Sequence, residues 1–305
     1  MAGSSLGSRG VLNVLLVRHG ESTNNVIHKD IFASIASKAA DAEAWHTAEK
    51  AWLTQRSEDP PLTAIGMHEA ERLADVYAPK LVTAAGPAGR VHLFVSPFLR
   101  TCQTAFPLAN ALGPKHCAVK VLPDIYEVGG VYTAEAGGKR SGPGRCLSAM
   151  EIEARFPGFD CSALEGPREA DWYTGGWETD DEARGRVASI ASWLRSPELH
   201  KECDSGNEAW AVLVTHGHFI DLLVKELLGS RDSPSTDVPG VNNHGNRPMV
   251  VNTPNTAVGH LQLRSDGRRA VLFLGCTSHL EVATSGRPAA ASLSVAFGFG
   301  AVAGF

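Results

Sequence analysis

An α/β fold built on a mainly parallel sheet is predicted by three observations. Short, mostly apolar runs recur at 14–17, 91–95, 118–122 and 211–215, with the length and β-branched content of buried strands. Helical patterns over 63–81, 100–112, 178–196 and 218–228 separate them. Strands alternating with helices favour parallel pairing, because each crossover helix covers a sheet face. Three of the runs also end in groups that suit an oxyanion, namely Arg18-His19-Gly20, Ser96 followed by Arg100, and Thr215-His216-Gly217. In an open α/β sheet, ligands bind at the carboxyl ends of the strands.

The elements follow in order. Residues 30–56 carry a rough helical stripe through Ile31, Ile35, Trp45 and Trp52, read as one or two helices inserted after the first strand. Such a cap would lie over a site or simply pack on the core. Asp59-Pro60-Pro61 ends it, since a residue before proline is disfavoured in a helix. Thr63 caps the next helix, which runs to about Leu81. Strand 91–95 leads into helix 100–112, whose amino end would offer amides to an anion in the crevice. Strand 118–122 leads to the segment from Pro123 to Gly130, and then to a Gly-rich loop, 136–146, carrying Lys139, Arg140 and Arg145.

Residues 148–156 form a short helix, 160–177 are irregular, and 178–196 form an amphipathic helix with acidic residues at its start. Strand 211–215 and helix 218–228 follow. Residues 231–254 read as a long polar loop, and 257–264 with 270–274 as a β-hairpin. The domain expectation is therefore a flexible tail at 1–10, one domain over 11–282 with a helical insertion at 26–58 and a loop insertion at 130–177, and a disordered tail at 283–305.

Net charge is −5 with no long basic run, which argues against nucleic acid or an anionic membrane as partner. No segment reads as a membrane span. The six cysteines form no Cys-x-x-Cys pair, and in a chain with 43% hydrophobic residues they read as free thiols of a reducing compartment. The amino terminus lacks the apolar region of a secretory signal, so a cytoplasmic location is expected, with organelle targeting as the alternative.

Two histidines and two arginines converging on one crevice make a phosphate site with a candidate nucleophile. Guanidinium forks pair two oxygens and stay charged, and a neutral imidazole offers a lone pair for in-line attack. His216-x-His218 is the only metal-like pair, and no further ligand cluster or dinucleotide fingerprint supports it. No metal and no cofactor is expected.

The motifs Arg18-His19-Gly20-Glu21-Ser22 with Asn25, Pro61-Leu62-Thr63-Ala64-Ile65-Gly66 with Glu69-Ala70, Val95-Ser96-Pro97-Phe98-Leu99-Arg100-Thr101-Cys102-Gln103-Thr104-Ala105, and Val214-Thr215-His216-Gly217 stand in this order over about residues 12–228. On these motifs the chain resembles the histidine phosphatase superfamily, in the branch that includes cofactor-dependent phosphoglycerate mutase. The resemblance implies a three-layer α/β/α sandwich of the phosphoglycerate mutase type. It implies His19 as the nucleophile, forming a phosphohistidine, with Arg18 and Arg100 gripping the phosphoryl group and His216 donating to one of its oxygens.

Glu127 is the candidate proton donor, because family enzymes carry their acid in such a loop after a strand; Asp124 and Glu135 are its rivals. Gly20, Asn25, Thr101, Gly217 and His218 are the candidate substrate-binding residues, Gly20 because its backbone can approach a ligand closely. Glu21 is read as orienting the Arg18–His19 turn, and Thr104 as capping or packing. The expected activity is hydrolysis of a small phosphorylated metabolite. The alternatives are a phosphoglycerate mutase-type phosphotransferase and a silent phospho-ligand-binding protein. The stretches 26–58 and 130–208 match no subfamily, so they leave the substrate and the oligomeric state open.

Overall fold

A computed structural model describes residues 10–36, 42–135, 139–203, 209–229 and 250–281. The expected tails, except for Gly10, and most of the expected 231–254 loop lie outside the described residues.

The apolar runs form a seven-stranded sheet in the order β6-β3-β2-β7-β1-β8-β9. Its strands are β1 (Val11–Arg18), β2 (Val91–Val95), β3 (Cys117–Val121), β6 (Phe159–Asp160), β7 (Ala209–Thr215), β8 (Val258–Arg264) and β9 (Arg269–Cys276). β1, β7, β2, β3 and β6 run parallel, while β8 lies antiparallel to β1 and β9 antiparallel to β8. The fold is the mainly parallel α/β sheet that the alternation predicts.

β1 is apolar on both faces because both are covered. Leu15 and Val17 join a core with α3 (Ala64–Ala85) and α4 (Leu99–His116). Leu12, Val14 and Leu16 join one with α6 (Asp180–Leu194), α7 (Pro197–Cys203) and α8 (Gly217–Leu228). Helix layers therefore flank the sheet on both sides, which explains a continuous apolar run where a half-exposed strand would alternate.

The insertion after β1 is two helices, α1 (Thr23–Ala36) and α2 (Ala42–Gln55). Thr63 caps α3 by accepting from the Gly66 amide. α3 runs four residues beyond the expected end, past Pro79, because Leu81 and Ala85 still bury against the core. α4 likewise continues past 112, with a break at Gly113, where φ is +67°.

Three elements differ from the sequence expectation. Part of the Gly-rich 136–146 segment is ordered as a small antiparallel ribbon of β4 (Tyr132–Ala134) and β5 (Arg140–Pro143); residues 136–138 lie outside the described residues. β6, two residues at the start of the stretch expected to be irregular from 160, pairs with β3 at the sheet edge. α7, the helix after Pro197, was not anticipated. Short elements such as these take their conformation from the neighbour they pair or pack with, and periodicity is silent over so few residues. Helix α5 (Ala149–Arg155) forms where expected, with a Ser148–Glu151 capping box. All six cysteines are unpaired. Among the described residues, no helix is long and apolar enough to cross a membrane.

Candidate active site

The register of three neighbouring strands assembles the site. Arg18 at the end of β1 lies opposite Thr215 at the end of β7, and Val95 of β2 opposite Val214. The His19 amide donates to the Thr215 carbonyl at 3.0 Å and the Ser96 amide to the Val214 carbonyl at 3.0 Å. The chain thus leaves the sheet at one level on all three strands. His19 and His216 follow side by side, their rings edge-on with centroids 5.3 Å apart.

His19 is buried, and its Nδ1 lies 2.7 Å from the Gly20 carbonyl oxygen. A carbonyl only accepts, so Nδ1 carries the proton and Nε2 keeps its lone pair. Burial, with Arg100 and Arg18 nearby, holds the His19 pKa well below the usual histidine range. The ring is therefore neutral and nucleophilic at ordinary pH.

Arg18 donates from Nη1 to the Thr253 carbonyl at 2.6 Å. The Thr256 and Asn255 groups hold the His19 carbonyl from the same segment, with Thr256 at φ +52°. A β-branched residue in that region is strained, and here it turns the chain under the His19 loop.

Arg100 is buried, and burial lowers its pKa to about 10 against the opposing pull of Asp59 and Glu127. In the sequence Asp59 marks only the end of a helical stretch. Its carboxylate accepts from the Leu99 amide at 3.0 and 3.2 Å and stands 3.9 Å from Arg100. The amino end of α4, expected to face an incoming anion, is already occupied by this carboxylate.

Burial outweighs the guanidinium and raises the Asp59 pKa to about 6, from the ordinary 3.8. A carboxyl whose folded pKa is raised contributes stability that is complete below the unfolded pKa and is lost as pH rises through the folded one. The wild-type protein is therefore expected to gain stability relative to Asp59→Asn as pH falls from about 6 to about 4, read as the difference in urea midpoints at each pH. A gain in the opposite direction would mean that the ion pair with Arg100 dominates.

His216 is held at both ring nitrogens. Its Nδ1 is 3.1 Å from Arg100 Nη2 and its Nε2 is 2.8 Å from Ser96 Oγ. A guanidinium only donates, so Nδ1 accepts and Nε2–H donates to the serine. The ring is wholly buried under Arg100 and does not line the cleft.

Of the three candidate acids, Glu127 lines the cleft, whereas Asp124 and Glu135 are exposed and do not. The Val128 and Phe219 amides both donate to Glu127 Oε1, at 3.0 and 3.1 Å. Burial raises its pKa, against the opposing effect of Arg100 and Arg18. Thr215 Oγ1 donates to the Ile125 carbonyl at 2.6 Å, tying the acid loop to the end of β7.

The candidate binding residues divide. Asn25 and His218 line the cleft. Asn25 Oδ1 accepts from Ser22 and Asn255, which aims its amide group. His218 Nε2 stands 4.0 Å from Asp180. Gly20, Thr101 and Gly217 do not line the cleft. A Cβ on Gly20 would meet the Gly66 carbonyl oxygen at 2.6 Å, so the close pass of helix α3 requires glycine there. The Gly20 amide donates to Thr104 Oγ1 at 3.0 Å, the packing role expected of Thr104. Thr101 is buried, its hydroxyl within 2.7 Å of the Ser96 and Phe98 carbonyls. A Cβ on Gly217 would lie 3.3 Å from Arg18 Nε, so this glycine makes room for the arginine. Glu21 accepts from Thr63 at 2.7 Å and fixes the turn to the start of α3, as expected.

The cleft encloses about 260 Å³. Helices α1 and α2 and the β4–β5 ribbon form its outer walls, so the insertion does lie over the site. Of the three basic residues in the Gly-rich segment, Arg140 lines the cleft and pairs with Glu49 at 2.7 Å. Arg145 is spent on Asp171 and Glu151 outside it. Arg56, Tyr132 and Trp177 line the cleft and carry no local sequence signal; only the aromatic content of 26–58 and 160–177 hinted at such walls. No group of three or more His, Cys, Asp or Glu able to hold a metal occurs among the described residues.

The model of one protein family, the histidine phosphatase superfamily (branch 1), matches residues 14–246. Among curated proteins, none matches the chain. Similar solved structures include an ecdysone phosphate phosphatase from Bombix mori in complex with tungstate, 17% identical over 87% of this chain and 93% of that one, with a TM-score of 0.49. Two more are a mycobacterial glucosyl-3-phosphoglycerate phosphatase (17% identity, 87% and 99% of the two chains, TM-score 0.44) and a mutant phosphoserine phosphatase from Entamoeba histolytica in complex with phosphoserine (15% identity, 88% and 100%, TM-score 0.44).

Proposed function

The chain belongs to the histidine phosphatase superfamily, branch 1, and on that premise we propose that it is a phosphatase that hydrolyses a phosphomonoester through a phosphohistidine on His19. The observation that carries this reading is the His19 ring. Its Nδ1 is committed to the Gly20 carbonyl, so Nε2 keeps its lone pair in a cleft shared with Arg18, Arg100 and Glu127.

His19 Nε2 attacks phosphorus in line, and the bond from phosphorus to the leaving oxygen breaks. The Glu127 carboxyl gives its proton to that oxygen, releasing an alcohol. Water then attacks the phosphohistidine, Glu127 takes the proton back, the P–N bond breaks, and orthophosphate leaves. Splitting the reaction at a covalent intermediate replaces one hard step with two easier ones. Arg18 and Arg100 offset the negative charge on the phosphoryl oxygens throughout. His216 holds Arg100 in place, and Asp59 holds both Arg100 and the start of α4. Asn25 and His218 border the group being transferred.

Hydrolysis is favoured over mutase chemistry by the loop after the acid. A mutase must keep its phosphohistidine from water while the intermediate reorients. The Gly-Leu-Asn-Lys segment of the phosphoglycerate mutase pattern is absent here. In its place stands Val128-Gly129-Gly130-Val131, with both glycines at positive φ. The protein supplied with 3-phosphoglycerate and a bisphosphoglycerate primer is expected to release free phosphate faster than it forms 2-phosphoglycerate. Interconversion about tenfold faster than release, a difference of about 1.4 kcal/mol in barrier, would make it a mutase.

A further inference from the structure

Resting on the phosphatase reading above, we propose that the leaving alcohol carries a planar apolar ring system, held between two aromatic walls of the cleft. The first wall comes from the α1–α2 insertion. Phe32 stacks on His28 at 4.4 Å, Trp52 meets His28 edge-on at 5.3 Å, and Trp45 lies 5.8 Å from Phe32. The second comes from the ribbon and the irregular stretch after it, where Tyr132 and Trp177 meet edge-to-face at 4.8 Å. All six rings line the same cleft as His19, Arg18, Arg100 and Glu127.

The two outermost rings are under-covered by the protein itself. Trp45 is 38% exposed and Trp177 40%, although both sit in a concave site. A ring offered there gains edge-on or offset pairing of about 0.5–1.5 kcal/mol per contact beyond the area it buries. The two arginines of the outer cleft also lie against its rings. Arg140 pairs with Glu49 and lies over the Trp177 ring at 4.4 Å. Arg56 donates to the Tyr132 carbonyl at 2.9 Å and lies 3.9 Å over the same residue's ring. Flat guanidinium and aromatic faces therefore define the slot, and a small hydrophilic alcohol would leave them bare. The volume of about 260 Å³ is near the lower end of small-molecule sites, which run from about 300 to 1,000 Å³, and suits one ring system beside a phosphoryl group.

The test is equilibrium binding of non-hydrolysable phosphonates by titration calorimetry on the intact protein. The ligands are methylphosphonate, phenylalkyl phosphonates with one to four methylenes, and straight-chain alkyl phosphonates of equal carbon number. The best phenylalkyl member is expected to bind about tenfold tighter than methylphosphonate and about threefold tighter than its straight-chain counterpart. Trp45→Ala and Trp177→Ala, each at a partly exposed position, are expected to weaken phenylalkyl binding about fivefold and leave methylphosphonate unchanged.

Equal binding of all ligands, no measurable phenylalkyl binding, parity of ring and chain, or indifference to both tryptophan variants would each overturn the inference. Release of phosphate from acetyl phosphate, a donor with a good leaving group and no ring, measured in parallel, reports on the phosphatase reading alone. Phosphonate binding needs no turnover, so the two failures are separable.

Discussion

Replacing His19 with alanine is expected to lower kcat by about 10⁴- to 10⁶-fold, the range seen when a covalent nucleophile is removed, while the protein stays folded. The imidazole is buried at the end of β1, but its only bond among the described residues is to its own turn, through Nδ1 to the Gly20 carbonyl. The backbone of that turn is held independently by Thr215, Thr256, Asn255 and Thr104. Loss of the ring therefore removes the nucleophile and leaves its support. Incubation with a labelled phosphomonoester followed by a quench should give an acid-labile phosphoryl adduct in the wild type and none in His19→Ala. A circular dichroism melt should show a native-like transition in both. Label that persists in the variant would place the nucleophile elsewhere.

The second large effect is expected at Glu127, and it depends on the substrate. For an alkyl phosphate the leaving alkoxide must be protonated as the bond breaks, so Glu127→Gln should cost about 10²–10⁴-fold in kcat. For p-nitrophenyl phosphate the leaving phenolate needs no proton, and phosphorylation of His19 should fall by about tenfold or less. Glutamine keeps an oxygen for the Val128 and Phe219 amides that Glu127 Oε1 now satisfies, so the loop should hold its place.

The pH dependence follows from the direction of the shift. Burial raises the Glu127 pKa, so the acid form survives above the ordinary carboxylate range. The rate with alkyl phosphates should decline as pH rises through that pKa, and this limb should vanish in the glutamine variant. The same pattern in Asp124→Asn, with Glu127→Gln unaffected, would transfer the role to Asp124.

Much of the fold could be read from the chain. A parallel strand covered on both faces must be apolar throughout, and helices that shield it must be amphipathic, so β1, β2, β7, α3, α6 and α8 announce themselves locally. The short strands β4 and β6 do not, because two or three residues carry no period and form only where a neighbouring strand offers its edge. The tertiary structure also changed the reading of residues already singled out. Gly20 and Thr101 looked like ligand contacts from their place in the motif. In the fold Gly20 also meets the close pass of α3, and the Thr101 hydroxyl lies against two carbonyls.

By itself the sequence determined the longer parallel strands, most of the helices that flank them, and the placing of His19, Arg18, Arg100 and His216 at or just beyond strand ends, because these depend on a few consecutive residues and on strand direction. Only the tertiary structure decided that Asp59 sits against Arg100 and fills the amino end of α4, that Thr253 holds the Arg18 side chain, that Thr256 and Asn255 brace the His19 turn, that His216 accepts from Arg100, and that rings from α1, α2, Tyr132 and Trp177 line one cleft. The physical reason is that the burial of a charge or the pairing of two rings depends on which distant segments meet. Local periodicity records which face of an element is covered, and contains nothing about what covers it.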